Sequence, residues 1–395
     1  MRGWSARWRR CVAQSPGPVS KDREADPMKL IIVAGMIDAK LEAKLAPILA
    51  IDGVDRVFLI RRAAFEADKL ICHHPPATLR WKPLAELWRL QRLLALSRRE
   101  HPDTIIAMGL VPHGWYVALA GRLFGIPVIQ HAMGKNDFNL PRFHRLGRWL
   151  SMAAVRLSAR IAVRGSSAAD WLTKRGIPRE RIFIQHNLHD FDAFAPDPSA
   201  PKTFDLIYVG LLARYKRLDL MLAVLARVCR VRPHTRLLLV GDGPLRAQLE
   251  AQARELGLER QVEFAGRVPF HSLPRRFNAA RTFIMTSDGE GLPQAMIEAL
   301  SCGLPVIMPR DADIADVARD GVNGLVYPVG DVVACAEAVL RLLDDDVLFL
   351  RLRRGALALH GQRAADYGLD KQARNWQQQL LATIERAQPR VLERS

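Results

Sequence analysis

Cysteine and long apolar segments are the two features that this sequence has least of. Its five cysteines are scattered over 395 residues, with no close pair and no Cys/His spacing of the kind that holds a metal. No disulfide framework or metal module is therefore expected, and a reducing cytoplasm is the natural setting. No apolar run approaches the roughly 20 residues that span a bilayer, and the first residues lack the apolar core of a secretory signal. We expect a protein that is soluble or peripheral to a membrane.

Acidic residues are also scarce, and their shortage is uneven. The chain has 58 Lys and Arg residues against 41 Asp and Glu, a formal net charge of +17. Residues 1–200 carry 31 basic and 18 acidic side chains, whereas residues 201–395 carry 27 and 23. An excess in the first half suits an anionic membrane surface. A basic nucleic-acid-binding protein is an alternative, but no recognition-helix, zinc-finger or RNA-binding motif is present, so no nucleic-acid partner is expected.

Two basic stretches of the first half also contain tryptophans. One runs from Arg80 to Arg99 and the other from Arg142 to Arg160. Cations interleaved with aromatic side chains favour contact with an anionic membrane. The alternative is that the apolar side chains of the first stretch form a buried stripe at helical spacing, with the arginines as a solvated face. That stripe would consist of Trp81, Leu84, Leu87, Trp88 and Leu94.

Short apolar runs alternate with helical patterns along most of the chain, which predicts a doubly wound α/β fold. Residues 1–27 lack this periodicity, and we interpret them as a disordered leader or a start codon assigned too early. A Pro-rich segment near residue 200 separates residues 28–200 from residues 201–365. We expect two Rossmann-like domains facing a central cleft, with residues 366–395 as a helix that packs back toward the first domain. The predicted strands centre on residues 30–33, 57–60, 104–107, 127–129 and 181–184, then 205–209, 236–240, 262–264, 282–285, 305–307 and 324–327.

The most informative motif spans residues 287–298. An apolar, β-branched run before it predicts a buried strand, and the glycines that follow allow a sharp turn at the carboxyl end of that strand. Pro293 suits the first turn of a helix, so free N–H groups just before it can bind an anion such as a diphosphate. Those groups belong to Gly291 and Leu292.

Two carboxylates flank this helix start. Glu290 precedes the helix and Glu298 lies about one and a half turns inside it, so they can reach different parts of one extended ligand. They are too far apart for a paired acid and base. The alternative is that Glu290 is a solvated loop charge and Glu298 an exposed helix residue.

A second loop with suitable chemistry follows the strand at residues 205–209. Gly210 ends the strand, and the ammonium group of Lys216 can reach a phosphate, with Arg214 and Arg217 nearby as further cations.

Two more loops complete the set in the second half. Gly241 and Gly243 resemble half of a dinucleotide fingerprint, although a tight turn capped by Asp242 is an alternative. Arg267 and Val268 follow the next strand, where backbone groups could bind the edge of a nucleobase.

Taken in order, these loops resemble the nucleotide-sugar domain of family 4 glycosyltransferases, which are retaining enzymes of GT-B fold. The resemblance covers most of the chain after Met28. It implies that Lys216 binds the donor diphosphate, Glu298 the ribose hydroxyls and Glu290 the hydroxyls of the donor sugar. The reaction implied is transfer of a sugar from a nucleoside diphosphate sugar to a hydroxyl of a glycan acceptor. We expect this acceptor to be lipid-linked and the reaction to serve cell-surface polysaccharide synthesis at the inner face of the cytoplasmic membrane.

The first half is similar to the acceptor domain of this family, by looser matches. They consist of Gly35, His113, His131 and Asn187. The resemblance implies that His131 lies across the cleft near the sugar, where a neutral imidazole can donate or accept a hydrogen bond. The alternative for either histidine is a structural role at a strand end.

One position departs from the family pattern. The family usually has an arginine directly after the glycine that corresponds to Gly210, and this chain has Leu211. Arg214 or Arg217 could replace it. If neither does, the chain is a weak enzyme or a non-catalytic glycosyltransferase-like partner subunit.

The resemblance implies catalysis without a metal or cofactor, because cations and backbone dipoles can neutralise the leaving diphosphate. The catalytic residues expected are Glu290, His131 and Lys216. Asp-x-Asp spacing occurs at residues 190–192, 311–313 and 344–346, but none lies in the donor loops, and we interpret all three as chance. Other GT-B enzymes, such as epimerases and phosphorylases, share the architecture, but the ordered loops favour transfer.

Overall fold

The computed structural model describes residues 27–36, 38–79, 81–132, 144–288, 292–310 and 314–386. The chain divides into two compact units. The first contains the described residues up to Leu188 together with those from Asp366 onward, and the second consists of His189–Ala365.

The first unit is built on a seven-stranded parallel sheet with strand order 3-2-1-4-5-6-7. The strands are β1 (Met28–Ala34), β2 (Val54–Ile60), β3 (Leu70–His73), β4 (Thr104–Met108), β5 (Val128–His131), β6 (Arg160–Val163) and β7 (Ile182–Ile184). The helices of this unit are α1 (Asp38–Leu49), α2 (Lys82–Glu100), α3 (His113–Phe124), α4 (His144–Leu157), α5 (Ser166–Thr173) and, from the end of the chain, α12 (Leu369–Glu385).

Apolar side chains on both faces of this sheet are buried, as expected for parallel strands covered by helices. On one face, Leu93 of α2 and Val117 of α3 pack on Ile31, Val33 and their neighbours. On the other face, α1 packs beside α12, whose Trp376 and Leu380 belong to the same buried cluster. Residues from the two ends of the chain therefore share one core.

The second unit has a six-stranded parallel sheet with strand order 10-9-8-11-12-13. Its strands are β8 (Phe204–Val209), β9 (Leu237–Val240), β10 (Val262–Gly266), β11 (Ala280–Ile284), β12 (Val306–Pro309) and β13 (Gly324–Tyr327). Its helices are α6 (Leu218–Cys229), α7 (Arg246–Glu255), α8 (Leu273–Asn278), α9 (Gln294–Ser301), α10 (Val332–Asp344) and α11 (Asp346–Tyr367), the last of which ends in the first unit.

The sequence analysis did not predict two of the strands, β3 and β6. β3 is an edge strand whose residues are half-buried or exposed, so it has no buried apolar run to identify it. β6 has only four residues and follows α4 after a short link, so its run merges with the helical pattern.

The division between the units lies earlier than the Pro-rich segment near residue 200. That segment belongs to the second unit because Asn278, at the end of α8, binds it through both ends of its amide. The Asn278 Nδ2 donates to the carbonyl oxygen of Ala195 (3.0 Å), and the Oδ1 accepts from the N–H of Asp197 (2.9 Å).

The buried stripe considered for α2 is wrong for three of its members. Trp81, Leu84 and Leu87 are 64%, 42% and 49% exposed. The buried side of α2 is formed instead by Ala85, Arg89, Leu93, Leu96 and Ser97. Arg89 is therefore buried, although the pattern assigned the arginines of this helix to the solvated face.

Candidate functional site

The loops after four strands of the second sheet are joined by main-chain hydrogen bonds. These strands are β8, β9, β10 and β11, and their carboxyl ends lie at one edge of the parallel sheet. The bonds run from the N–H of Leu212 to the carbonyl of Asp242 (3.0 Å), from Gly241 to Gly266 (2.8 Å) and from Asp288 to Tyr215 (2.9 Å). We call this region the donor edge.

Two glycines let these loops approach so closely. Gly241 has a φ of 137°, and a Cβ at this position would overlap the carbonyl oxygen of Gly210. A Cβ at Gly243 would overlap the carbonyl oxygen of Leu212. The Asp242 carboxylate also accepts the N–H of Gly243 (2.8 Å), so the local turn and the close approach are both present.

Lys216 is the most enclosed cation of the donor edge. It ends a 3-10 turn, Arg214–Lys216, and is 9% exposed, with its Nζ 5.2 Å from the centre of the Tyr215 ring. Burial restricts the side chain, so its charge is held in a defined place.

The two arginines that could compensate for Leu211 differ in their surroundings. Arg217 adopts a left-handed φ of 50° and its Nη2 lies 3.1 Å from the Asp219 carboxylate. This hydrogen bond raises the pKa of Arg217 above its ordinary value. Arg214 is exposed, as is Leu211 at 47%.

The loop after β11 is bound to this turn. The Thr286 hydroxyl donates to the carbonyl oxygen of Arg217 (2.8 Å). The neighbouring Ser287 hydroxyl is buried and has no hydrogen-bond partner among the residues described. Glu290 and Gly291 lie outside the described residues, and Leu292, which follows them, is buried.

Glu298 lies in the second turn of α9 and is 4% exposed, so the alternative of an exposed helix residue is wrong for it. Helix α9 begins one residue after Pro293, which is the N-cap rather than the first helical residue. The carboxylate of Glu298 contributes, after burial itself, to raising the pKa of the Cys302 thiol.

His189 was not singled out from the sequence, yet it fixes helix α9. It is buried, its Nε2 lies 2.8 Å from the Ser301 Oγ, and its Nδ1 lies 3.1 Å from the Gln294 Nε2. One side chain therefore touches the first and last residues of α9. A lone histidine beyond a predicted strand carries no sequence signal for this role.

The remaining donor-loop residues follow β10. Gly266 adopts a φ of 65°, Arg267 is exposed and Val268 is half-buried. The main-chain bond between Gly241 and Gly266 brings this loop beside the one after β9.

In the first unit, Gly35 and His113 are in contact at the carboxyl ends of β1 and β4, a region we call the acceptor edge. A Cβ at Gly35 would overlap the His113 Cε1. His113 is 6% exposed, and its Nε2 lies 3.0 Å from the Nη1 of Arg89, which also lies 2.9 Å from the Oε1 of Glu86. Burial, and then the Arg89 charge, lower the pKa of His113 to about 4, so the ring is neutral at pH 7.

His131 ends β5 at the same edge and is 2% exposed. Both of its ring nitrogens lie close to the Lys44 Nζ, at 3.2 and 3.1 Å, and its ring meets Trp376 edge-on at 6.2 Å. Burial, then Lys44 and Arg164, hold its pKa well below the ordinary value. His131 is therefore also neutral at pH 7.

The two histidines belong to one packed region. The Gln130 side chain donates to the carbonyl oxygen of Gly114 (2.9 Å), which links the strand that carries His131 to the helix that begins at His113. Asn187 is half-buried and lies after β7, just before the end of the unit.

Within the ranges described, no group of three or more His, Cys, Asp or Glu is placed to hold a metal ion. Asp311 and Asp313 lie outside these ranges. In the described part of the chain, no helix has both the length and the apolar character needed to cross a membrane.

Comparison with known families gives two consecutive matches. The family model described as glycosyl transferases group 1 matches residues 191–357, and that of the glycosyl transferase 4-like domain matches residues 53–187. Together they cover most of the chain. The resemblance to family 4 glycosyltransferases is confirmed.

Two curated relatives carry phosphatidylinositol in their names. The chain is 27% identical to a protein of Arabidopsis thaliana that is a subunit of phosphatidylinositol N-acetylglucosaminyltransferase, over 50% of this chain and 45% of that protein. It is 31% identical to the GDP-mannose-dependent alpha-(1-6)-phosphatidylinositol monomannoside mannosyltransferase of Mycolicibacterium smegmatis, over 48% of this chain and 50% of that protein. The chain thus spans about half the length of these relatives.

A solved structure with the same fold is HepE of Anabaena in complex with UDP. It is 18% identical, with a TM-score of 0.73 over 90% of this chain and all of that chain. At this identity the likeness shows the fold alone. The α/β fold of GT-B type, with two doubly wound units, is confirmed.

Proposed function

The chain belongs to the group 1 glycosyl transferases, and from that premise we propose that it is a retaining enzyme acting on a lipid-linked glycan. It transfers a sugar from a nucleoside diphosphate sugar to an acceptor hydroxyl, in cell-surface polysaccharide synthesis. The observation that carries the proposal is the donor edge. Four strand-end loops are joined there by main-chain hydrogen bonds. Two charged side chains near these loops are buried: Lys216 lies in the loop after β8, and Glu298 lies in the helix that follows the loop after β11.

The donor edge suits a nucleoside diphosphate for electrostatic reasons. As the bond to the sugar breaks, negative charge grows on the leaving diphosphate and must be stabilised. Lys216, Arg214 and the N-terminus of α9 supply that stabilisation without a metal, while the Glu298 carboxylate accepts hydrogen bonds from the ribose hydroxyls. Glu290 binds the donor sugar.

In this proposal the anomeric configuration is retained because the diphosphate leaves, and the acceptor hydroxyl attacks, on the same face of the sugar. The leaving phosphate takes the proton of the acceptor hydroxyl, so no carboxylate nucleophile is needed, in contrast to retaining glycosidases. His131 is neutral at pH 7, so its imidazole can donate or accept a hydrogen bond.

The experiment that tests this proposal is calorimetric binding of UDP, GDP and ADP to the purified protein without metal. We expect a clear preference for one nucleotide. Glu298→Gln should weaken its binding by about 10- to 100-fold, since charge-assisted hydrogen bonds contribute roughly 1.5–3 kcal/mol. Glu255→Gln, at an exposed position of α7, is the matched control. Absence of binding to all three nucleotides would overturn the proposal.

We also propose that the first unit binds an anionic membrane surface at the inner face of the cytoplasmic membrane. Helix α3 packs against both α2 and α4, and exposed apolar side chains lie on all three helices and at Trp81, which directly precedes α2. These are Trp81, Leu84, Leu87, Leu119, Leu123, Phe124, Trp149 and Leu157. Exposed cations, Lys82 and Arg156, adjoin Trp81 and Leu157 in the sequence. Apolar side chains beside cations suit the interface of an anionic bilayer.

Co-sedimentation with vesicles tests this membrane proposal. We expect binding to phosphatidylcholine vesicles that contain phosphatidylglycerol. Joint Trp81→Ser and Leu87→Ser changes should weaken it by about 30-fold, because partial insertion of two such side chains contributes on the order of 2 kcal/mol. The matched control is Val347→Ser with Leu350→Ser in the second unit, where both residues are exposed. An equal loss of vesicle binding in the two double variants, or no binding of the parent protein to these vesicles, would overturn the membrane proposal.

A further inference from the structure

The acceptor edge contains a set of cations that the donor chemistry does not use. Arg61, at the end of β2, and Arg89, in α2, are 4% and 3% exposed. The Arg61 Nη2 lies 3.4 Å from the carbonyl oxygen of Met36, next to Gly35. Arg89 reaches His113, which touches Gly35. Arg61 therefore approaches the loop after β1 directly, and Arg89 approaches it through His113.

Further positive charge surrounds this loop. The Arg62 charge acts on Arg89 and lowers its pKa, after the larger effect of burial. The N–H of Arg61 donates to the carbonyl of His73, whose ring accepts from the Nη2 of Arg92 (3.0 Å). Glu86 pairs with Arg89. The planar guanidinium group of arginine suits multiple hydrogen bonding to oxygen anions such as phosphate.

The contact between Arg89 and His113 fixes the tautomer of the histidine. A guanidinium group can only donate, so the Nε2 of His113 must accept, and the proton of the neutral ring is on Nδ1. The ring atom nearest to a Cβ at Gly35 would be Cε1 (2.4 Å), followed by Nδ1 (3.2 Å) and Nε2 (3.4 Å), so the edge of the ring formed by Cε1 and Nδ1 lies beside this exposed glycine. His113 thus presents a hydrogen-bond donor at Gly35.

The two side chains nearest this loop, Arg61 and His113, present donors to it, and the one carboxylate beside them, that of Glu86, is paired with Arg89. Guanidinium groups have no acceptor atoms, and the Nδ1 of His113 carries a proton. The Arg89 Nε is buried and has no partner among the residues described. A group made only of acceptor oxygens, with more than one negative charge, fits such surroundings better than a sugar hydroxyl does.

We propose that Arg61, Arg89 and His113 form a subsite at Gly35–Met36 for a phosphate group carried by the acceptor. This deepens the proposed function, on which its catalytic meaning rests, by naming the acceptor class. Arg61 and His113 contact the phosphate oxygens, while Arg89 is a positioning residue that holds His113 in its donor tautomer.

Nitrogen NMR of the full chain tests the tautomer without any activity measurement. At pH 7 we expect the Nε2 of His113 to show the chemical shift of an unprotonated ring nitrogen and the Nδ1 that of a protonated one, with the signals assigned by their loss in His113→Asn. The opposite tautomer would overturn the subsite, because the ring would then present an acceptor at Gly35.

Calorimetry with methyl phosphate tests binding. The titration uses the Lys216→Met protein, so that the donor edge contributes little. We expect His113→Gln and Arg61→Gln to weaken binding by about tenfold or more, since hydrogen bonds to a charged group are lost. His113→Asn should keep most of the affinity, because its amide nitrogen can take the place of Nδ1.

Arg122→Gln is the matched control, because Arg122 is an exposed arginine in the last turn of α3, at the end away from His113. Its affinity for methyl phosphate should stay within about twofold of the parent, as expected for a solvated charge. Equal binding of acetate and methyl phosphate, or binding unchanged in His113→Gln and Arg61→Gln, would overturn the proposal. Melting curves identify a variant that fails to fold, and the NMR result on the parent chain then decides.

The phosphate could belong to a lipid or to a soluble acceptor, and competition separates the two sources. Displacement of methyl phosphate by phosphatidylcholine vesicles containing phosphatidic acid, lost in His113→Gln, would indicate a lipid phosphate. Displacement only by soluble glucose 1-phosphate would indicate a soluble one. Failure of both competitors would overturn the subsite. Failure of the proposed function is recognised separately, because none of these titrations depends on nucleotide binding or transfer.

Discussion

The donor edge and the acceptor edge are both formed at the carboxyl ends of parallel strands, but they are built by different means. At the donor edge, main-chain hydrogen bonds join the loops, and glycines such as Gly241 make the close approach possible. At the acceptor edge, side chains do the joining, through buried arginines and neutral histidines. A site built on backbone tolerates few changes in shape, whereas one built on side chains can be altered residue by residue. We infer that the donor class is the more constrained of the two.

Removing the backbone freedom of Gly241 should have the largest effect. In Gly241→Ala, the added Cβ overlaps the Gly210 carbonyl oxygen and the φ of 137° becomes strained, so we expect the second unit to lose about 4 kcal/mol or more of its stability. Gly257→Ala, with a φ of 67° and no atom within 4 Å, should cost only about 1–2 kcal/mol. Urea unfolding measures both. Equal losses would show that close approach of the loops does not matter.

Neutralising Lys216 should affect turnover far more than folding. Lys216→Met keeps the apolar stem and removes the charge, so we expect kcat to fall by about 10²–10³-fold, as when a donor to a developing anion is removed. The melting temperature should change little. A large loss of stability with unchanged turnover per folded molecule would instead identify a packing residue.

The acceptor edge should be the part that responds to acid. The pKa of His113 is about 4 in the folded unit and 6.5 for an ordinary histidine, so the unfolded chain binds more protons between these values. The free energy of unfolding should therefore fall as the pH is lowered from about 6.5 to 4, by about 3 kcal/mol at most.

His113→Asn should flatten that pH dependence, measured as the urea midpoint at pH 7 and pH 5. His271→Asn, at an exposed position of the second unit, is the control. A slope that is unchanged in His113→Asn would assign the acid sensitivity to other groups.

The smallest expected effect is on nucleotide binding, when Arg214 or Arg217 is changed to test which of them replaces the arginine that the family has where this chain has Leu211. Arg214 is exposed beside the donor edge, while Arg217 is paired with Asp219. Arg214→Gln should weaken nucleotide binding by about tenfold, through loss of a charge-assisted hydrogen bond. Arg217→Gln should weaken it by less than about fivefold, because the Arg217 guanidinium is paired with Asp219 and a partly exposed charge contributes roughly 0–1 kcal/mol. The reverse order would assign the role to Arg217.

The sequence was informative where the backbone builds the site. Glycines after predicted strands led to the prediction of Gly210, Gly241 and Gly243 as donor-binding residues, and the structure shows the close backbone approach that Gly241 and Gly243 permit. The same reasoning predicted two doubly wound units from the alternation of apolar runs and helices. Edge strand β3 could not be predicted, because it lacks a buried apolar run.

The sequence was uninformative where distant side chains meet. Arg89 looked like one of many surface arginines, since nothing local indicates that this side of α2 faces the first residue of α3. The contacts of His131 with Lys44 and of His189 with Ser301 have the same origin. Lys216 and Glu298 were identified for their charge, but their burial depends on tertiary packing and was not predicted.

The packing of α12 on α1 has a consequence for biosynthesis. Trp376 fills a space between Phe183 and His131, so the core of the first unit includes residues that the ribosome adds only after residues 189–365. The second unit is continuous in sequence and can fold as soon as it emerges. The first unit, although its strands are synthesised earlier, is completed last. Until then, one apolar face of its sheet lacks its cover, and this interval is when the nascent chain is most exposed to aggregation and to chaperones.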